Sequence, residues 1–385
     1  MKIYTYHFPI NSYTTEAVGR YIPADASFLD IETTGLKRSS SIIYMIGAAY
    51  FVETELHILQ WFNDDAVSEE AILKAYLAEL RKHPGPVITF NGDGFDLPFL
   101  KEHMGYNEMD DTVLSDRESL DLYRRLRNYA PICDRKHSSQ RDWEEYLGIH
   151  RQDPYQGGKL IPVYKKYLKY GDPQALEQLL LHNMEDLRYL TALPALLAYD
   201  QLKEAAYQLT EIEESTYADQ TAIRFTIRCH APLPGDFSLV LEEGRINLLG
   251  QDLLQITLAV KEGILYHYYP DYRNYCYLPS EDRAVHKSIA AYVDKAHRIP
   301  CRPENCYMPL DSIFLPLPAA EATYGFSSDP SILPCPIYKT AYDSKESYLS
   351  FDDLFVQDAV TDRTKDYLHI VLQSMFIRKI RKTKS

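Results

Sequence analysis

The sequence predicts an α/β protein: a mixed sheet flanked by helices, followed by a second, mostly antiparallel β (α+β) domain. Three observations carry this. From Ser27 the pattern gives three strands and then strand alternating with helix, as in a mixed sheet covered by helices. After about Leu209 strands follow one another with Gly and Pro turns between them. The 385 residues, 45% hydrophobic and 25% charged, make a globular chain long enough for two cores.

Residues 1–26 read as an N-terminal strand and loop. SFLDIE is a buried strand, Thr33-Thr34-Gly35 a turn, and IIYMIGAAYF and ELHILQWF two further strands. Apolar residues at three- and four-residue steps predict a helix from about Ser68 to Lys82. Pro-Gly-Pro introduces the strand PGPVITFN, which runs into a helix at GFDLPFLKEHM. Helices then dominate to about Tyr207, giving a first domain over 27–207. TAIRFTIRCH, FSLVLEEGRINLL, LLQITLAVKEGILYHYYPDY and NYCYLP supply the antiparallel strands of a second domain over 208–325, with one helix expected from about Ser280 to Ala296. Residues 326–385 form a Pro-rich extension and a C-terminal helix ending in the basic IRKIRKTKS.

No apolar run approaches the roughly 18 to 20 residues of a membrane span, and MKIYTYHFPI lacks the marks of a signal peptide, so a cytoplasmic protein with no membrane partner is expected. Six scattered cysteines are read as free thiols; Cys301 and Cys306 are not joined by a second pair that completes a zinc site. A net charge of -14 argues against coating nucleic acid over a broad face. It leaves room for a narrow basic groove beside an acidic, cation-filled site, and residues 124–141 carry six Arg or Lys against one Asp.

Three places put acids where the pattern wants apolar residues. In FLDIETTGL, Asp30 and Glu32 are two apart on a strand and point to one face, where their repulsion invites a cation. In TFNGDGFDLPFL, Asp96 opens a helix after a core strand. In LLLHNMEDLRYL, His182 and Asp186 are four apart and share a helix face. Four acids converging on two Mg2+ or Mn2+ ions suit phosphodiester cleavage by in-line displacement, with His182 orienting or deprotonating the attacking water. Each piece also has an ordinary reading: a solvated strand edge, a helix-start residue matched to the dipole, a core histidine.

Together these strings resemble, in order and character, the three exonuclease motifs of the DEDD superfamily on the ribonuclease H-like fold. The stretch from DLYRRLR through GGKLIPVYKKYLKYGDPQALEQLLLHNMEDLRYLTAL is similar to its YprB-like branch. The resemblance covers roughly residues 27–200. It implies Asp30, Glu32, Asp96 and Asp186 as metal ligands and a 3'-5' exonuclease reaction on a nucleic-acid 3' end, DNA or RNA. Most histidine-type members place His five residues before the last Asp, and tyrosine-type members place Tyr four before it. Here a His stands at the tyrosine spacing, as is common in that branch, and one residue of helix swings a side chain by about 100°, so the resemblance fixes the ligands but not the geometry of the base.

Supporting candidates are Thr33, Asn91, Phe95, Arg135, Lys136 and Arg141 for substrate contact. Asn91 contacts substrate or caps its turn; Phe95 or Leu97 wedges against a base or packs in the core; Asp121 supports the site or starts a helix. The basic loop Arg135, Lys136, His137 and Arg141 lies between the second and third motifs, where a strand would enter. Asn183 is expected to help hold the site and Glu185 to face solvent. The 32 tyrosines, many in YHYYPDYRNYCYL, are read as sheet residues first and as a base-stacking platform second. Two rival readings keep the fold: a catalytically weak nucleic-acid-binding or scaffold protein, and a structure-specific endonuclease.

Overall fold

A computed structural model describes residues 1–133, 139–155, 157–235, 238–241, 243–318, 335–355 and 362–377. The chain forms two compact units: Met1–Ala198 with Leu233–Gly235, and the described residues of Tyr199–Pro232 and Asp236–Ser385.

The first unit is built on a six-stranded sheet of β1 (Lys2–Pro9), β2 (Ser27–Thr33), β3 (Ile43–Val52), β4 (Glu55–Phe62), β5 (Val87–Thr89) and β6 (Ser119–Asp121), in the order β1-β4-β3-β2-β5-β6. β1 through β2 in that order are antiparallel neighbours, whereas β2, β5 and β6 run parallel, so the sheet is mixed as predicted. β1 pairs with β4 along its whole length and forms one edge of this sheet. The helices are α1 (Ser12–Ala17), α2 (Glu69–Leu80), α3 (Asp96–Tyr106), α4 (Thr112–Ser115), α5 (Leu122–Leu126), α6 (Gln140–Tyr146), α7 (Leu160–Tyr170) and α8 (Pro173–Leu190).

Two cores cover the sheet. Leu29, Ile31, Ile46 and Trp61 pack with Ile72, Leu73 and Tyr76 of α2 and Phe99 and Leu100 of α3. Tyr44, Met45 and Phe62 pack with Leu160 and Tyr164 of α7 and Ala175 and Leu179 of α8. Covered on both faces, β3 is buried from Ile43 to Tyr50, which is why its sequence is an almost unbroken apolar run.

Register sets the positions of the acids. Asp30 lies opposite Gly47 and Glu32 opposite Met45, and a bulge follows Glu32 directly. A side chain at position 47 would strike α8, so glycine there is what lets that helix approach β3. The turn into α8 is equally explicit. Gly171, at φ 63°, ends α7 in the left-handed conformation; Asp172 then accepts a hydrogen bond from the Gln174 N–H at 2.9 Å, and Pro173 takes the first helical position.

The second unit carries a five-stranded antiparallel sheet of β7 (Tyr207–Tyr217), β8 (Gln220–Cys229), β9 (Ser238–Val240), β10 (Gly244–Leu249) and β11 (Leu253–Ala259). Two three-stranded sheets follow: β12 (Lys261–Tyr268) with Tyr307–Leu317 and Ser347–Ser350, and Tyr275–Leu278 with Arg283–His286 and Ile299–Pro300. The helix expected over Ser280–Ala296 is not formed. Arg283–His286 pairs with Tyr275–Leu278 through a tight turn in which Asp282 takes φ 49°, and Lys287–Ala290 and Lys295–His297 make isolated single turns of α- and 3-10 helix. Ladder hydrogen bonds to a neighbouring strand outweigh the helical propensity of the segment. Asp362–Ile377 is helical, whereas the Pro-rich passage and the basic tail beyond Ile377 fall largely outside the described residues. All six cysteines are free thiols. No helix among the described residues is long and apolar enough to cross a membrane.

Candidate active site

A cleft of about 790 Å³ in the first unit gathers residues from the end of β2, the turn after β5, the start of α3 and the middle of α8. Asp30, Glu32, Asp96, His182 and Asp186 all line it. Each arrives by a local rule. Asp30 and Glu32 alternate with apolar neighbours along β2. Asp96 is the first residue of α3, and its Oδ1 accepts the Ile31 N–H of β2 at 3.0 Å, which ties helix to strand. His182 and Asp186 lie one turn apart on α8, on the side that also buries Asn183 and Leu187.

Fixed groups hold these side chains. Asn183 donates its Nδ2–H to Asp30 Oδ2 at 2.7 Å, and Gln60 Nε2 donates to Asn183 Oδ1 at 2.8 Å. The Tyr44 hydroxyl donates to Glu32 Oε2 at 3.1 Å. Arg151 donates through Nη1 to Asp186 Oδ1 at 2.5 Å and grips Glu144 with Nε and Nη2 at 2.5 and 2.6 Å. His182 Nε2 stands 3.1 Å from Asp186 Oδ2 and 3.4 Å from Glu32 Oε1. Its Nδ1 lies 2.5 Å from Asp153 Oδ2.

The electrostatics follow from burial and like charge. Removal from water, then the charges of Asp186, Glu32 and Asp96, push Asp30 well above the usual carboxylate range. Burial raises Glu32 to about 7, with His182 opposing and Asp186 adding to the rise. Burial likewise lifts Asp96 to about 7 against the stabilising Ile31 N–H. Burial alone would lower His182, but Asp186, Glu32 and Asp153 outweigh it and raise the imidazole. These shifts register carboxylates withdrawn from water and set near one another, and carboxylate oxygens are the hard donor set that Mg2+ or Mn2+ takes. Ligand atoms of Glu32, His182 and Asp186 lie within 4.8 Å of one another.

Of the other sequence candidates, Thr33, Asn91, Phe95 and Arg141 line the cleft. Asn91, at φ 66°, donates its backbone N–H to Asp121 at 2.8 Å. Asp121 also caps α5, accepting from the Tyr123 N–H at 3.0 Å, so this helix-start residue also holds the Asn91 turn. Leu97 belongs to the core. Arg135, Lys136 and His137 lie outside the described residues.

Glu185 does not face solvent. It is 2% exposed and accepts the Gln152 N–H at 3.1 Å and the Asp153 N–H at 2.8 Å. Three residues after His182, it lies close to the same helix face, a spacing that signalled burial. Glu144, Arg151 and Asp153 were missed altogether. They stand on α6 and the loop after it, and nothing in QRDWEEYLGIHRQDPY distinguishes an acid that turns inward from one that does not.

This sheet order is that of the ribonuclease H-like fold, and residues 27–198 match the model of the RNase_H superfamily. Over 196 residues the chain is 26% identical to the YprB protein of Bacillus subtilis (strain 168), covering 47% of this chain and 44% of that one. It therefore spans less than half the length of this curated relative. Among solved structures it is similar to the family B DNA polymerase of Pyrobaculum calidifontis, at 13% identity, 65% of this chain, 35% of that chain and a TM-score of 0.35. It is similar also to the zinc-bound E. coli ExoI–ssDNA complex, at 10% identity, 94% and 75% coverage and a TM-score of 0.26.

Proposed function

We propose that the first unit is a metal-dependent 3'-5' exonuclease acting on a single-stranded 3' end of DNA or RNA with two Mg2+ or Mn2+ ions. The observation that carries this reading is the meeting of Asp30, Glu32, Asp96 and Asp186 around one open cleft with His182 beside them. Those four carboxylates would hold the cations. Bound there, divalent cations lower the pKa of an attacking water and offset charge on the leaving 3'-oxygen.

The chain's own residues supply the rest. His182 accepts the water's proton through Nε2, the nitrogen that faces the acids. Asn183 and Arg151 keep the Asp30 and Asp186 carboxylates turned into the cleft, as groups behind metal ligands do. Phe90, Phe95 and Tyr123 offer apolar wall for a base or sugar, and Thr33, Asn91 and Arg141 offer polar contact to the backbone.

One observation favours the binding-only alternative: both oxygens of Asp186 are engaged, one by Arg151 and one by His182. Each carboxylate oxygen has two lone-pair directions, so this pairing leaves ligation open. End-labelled DNA and RNA incubated with the full chain and Mn2+ separate the readings. The expected result is a ladder shortening from the 3' end, absent with Asp186→Asn. Internal cuts would indicate the endonuclease and binding without cleavage the scaffold. His182→Ala should lower turnover while Mn2+ binding survives; lost binding would make His182 a ligand.

A further inference from the structure

We infer that Asp153 is the positioning residue of His182, and that the pair fixes which imidazole nitrogen faces the acidic cleft. The inference deepens the nuclease reading and rests on it for the reaction, although the pairing itself is independent of that reading.

A histidine one helical turn before Asp186 has its Cα placed by α8, but its ring is not thereby oriented. Rotation of the ring by 180° puts Cδ2 and Cε1 where Nδ1 and Nε2 stood, and only a partner outside α8 selects the orientation that turns a nitrogen to the acids. That partner is present. Asp153 Oδ2 lies 2.5 Å from His182 Nδ1 and 2.6 Å from Arg141 Nη2, and the Asp153 side chain is 1% exposed. A carboxylate paired with a guanidinium accepts hydrogen bonds and does not donate them, so the proton between Asp153 and His182 belongs to Nδ1. Nε2 is then the nitrogen turned to Glu32 and Asp186, at 3.4 and 3.1 Å.

The loop that brings Asp153 is itself anchored to the helix it serves. Glu185 of α8 accepts the backbone N–H groups of Gln152 and Asp153. Arg151, two residues before Asp153, binds Asp186 and Glu144. The segment Arg151–Asp153 thus grips α8 at His182, Glu185 and Asp186. Orientation supplied from this loop is what makes a histidine workable at the four-residue spacing, where helix geometry alone does not aim it.

The test uses the full chain, first without added metal and then in the Mn2+ assay. In long-range 1H–15N spectra, His182 of the wild type should show a slowly exchanging, downfield proton on Nδ1. Asp153→Leu should lose it. Asp153→Asn, whose amide oxygen can occupy the shared position, should retain it. In the Mn2+ assay Asp153→Leu should lower kcat about 10- to 100-fold with KM and Mn2+ affinity little changed, and Asp153→Asn should restore a large part of kcat. A wild-type Nδ1 without a proton overturns the inference, whether or not the leucine variant folds. So does a folded Asp153→Leu with wild-type kcat. A chain that shows the Nδ1 proton yet cleaves nothing supports the pairing and counts against the nuclease reading instead.

Discussion

Gly47 of β3 and Asn183 of α8 approach so closely that a Cβ at position 47 would lie 2.2 Å from Asn183 Oδ1. Asn183 cannot easily yield, because it is fully buried and held between Gln60 and Asp30. Gly47→Ala should therefore cost about 1–3 kcal/mol, the usual range for overpacking, read from urea denaturation. It should also weaken Mn2+ binding by displacing Asp30. Wild-type stability in this variant would mean that α8 shifts freely against the sheet.

Glu185 satisfies two backbone N–H groups of the loop at Gln152 and Asp153 while almost wholly buried. Glu185→Ala leaves those donors unpaired, and a loss of about 2–3 kcal/mol is expected. Hydrogen exchange should quicken first at Gln152 and Asp153; a change spread evenly over the unit would contradict a local role.

Asp30→Asn and Asp186→Asn remove two of the four carboxylates. Each should lower turnover by more than roughly 100-fold, beyond the 10- to 100-fold loss typical of groups behind the ligands. Calorimetric titration with Mn2+ checks the cause, since weakened binding should accompany the lost activity. Full Mn2+ affinity in both variants would remove these residues from the ligand set.

Metal and pH should be linked through Glu32 and Asp96. Both sit near 7 in the folded chain, above ordinary values of 4.5 and 3.8. Their folded-state pKa values are raised, so their contribution to stability is fully present below about pH 4 and is lost as pH rises through about 7. Without metal, the stability difference between Glu32→Gln and wild type should therefore grow in the variant's favour from pH 5 to pH 8. Saturating Mn2+ should reverse the ranking at pH 8 by neutralising the repulsion. Thermal melts at both pH values, with chelator and with Mn2+, measure it; a ranking independent of pH and metal would show that burial does not raise Glu32 in the fold.

The acidic motifs were legible because they break a local rule. Asp30 and Glu32 interrupt an apolar strand, and His182 and Asp186 sit in a helix whose leucines mark it as buried. Such violations are visible in any window of a few residues. The convergence of Asp30 with Asp186 was less direct, since it relies on the order of the motifs and the family they resemble. The strand Arg283–His286 was not legible, because pairing with Tyr275–Leu278 is decided by a partner and not by the segment's own propensity.

By itself the sequence determined the period of each element in the first unit, the turns that join them and the residue types able to hold a cation. These are properties of neighbours along the chain, set by backbone geometry and by the cost of burying charge. Only the tertiary structure decided that Gly47 opens space for Asn183, that Arg151 braces Asp186, that Glu185 turns inward, and that Asp153 faces His182 Nδ1. Those relations join residues 29 to 136 positions apart, and a hydrogen bond of about 3 Å depends on where whole elements are placed, which no local pattern encodes.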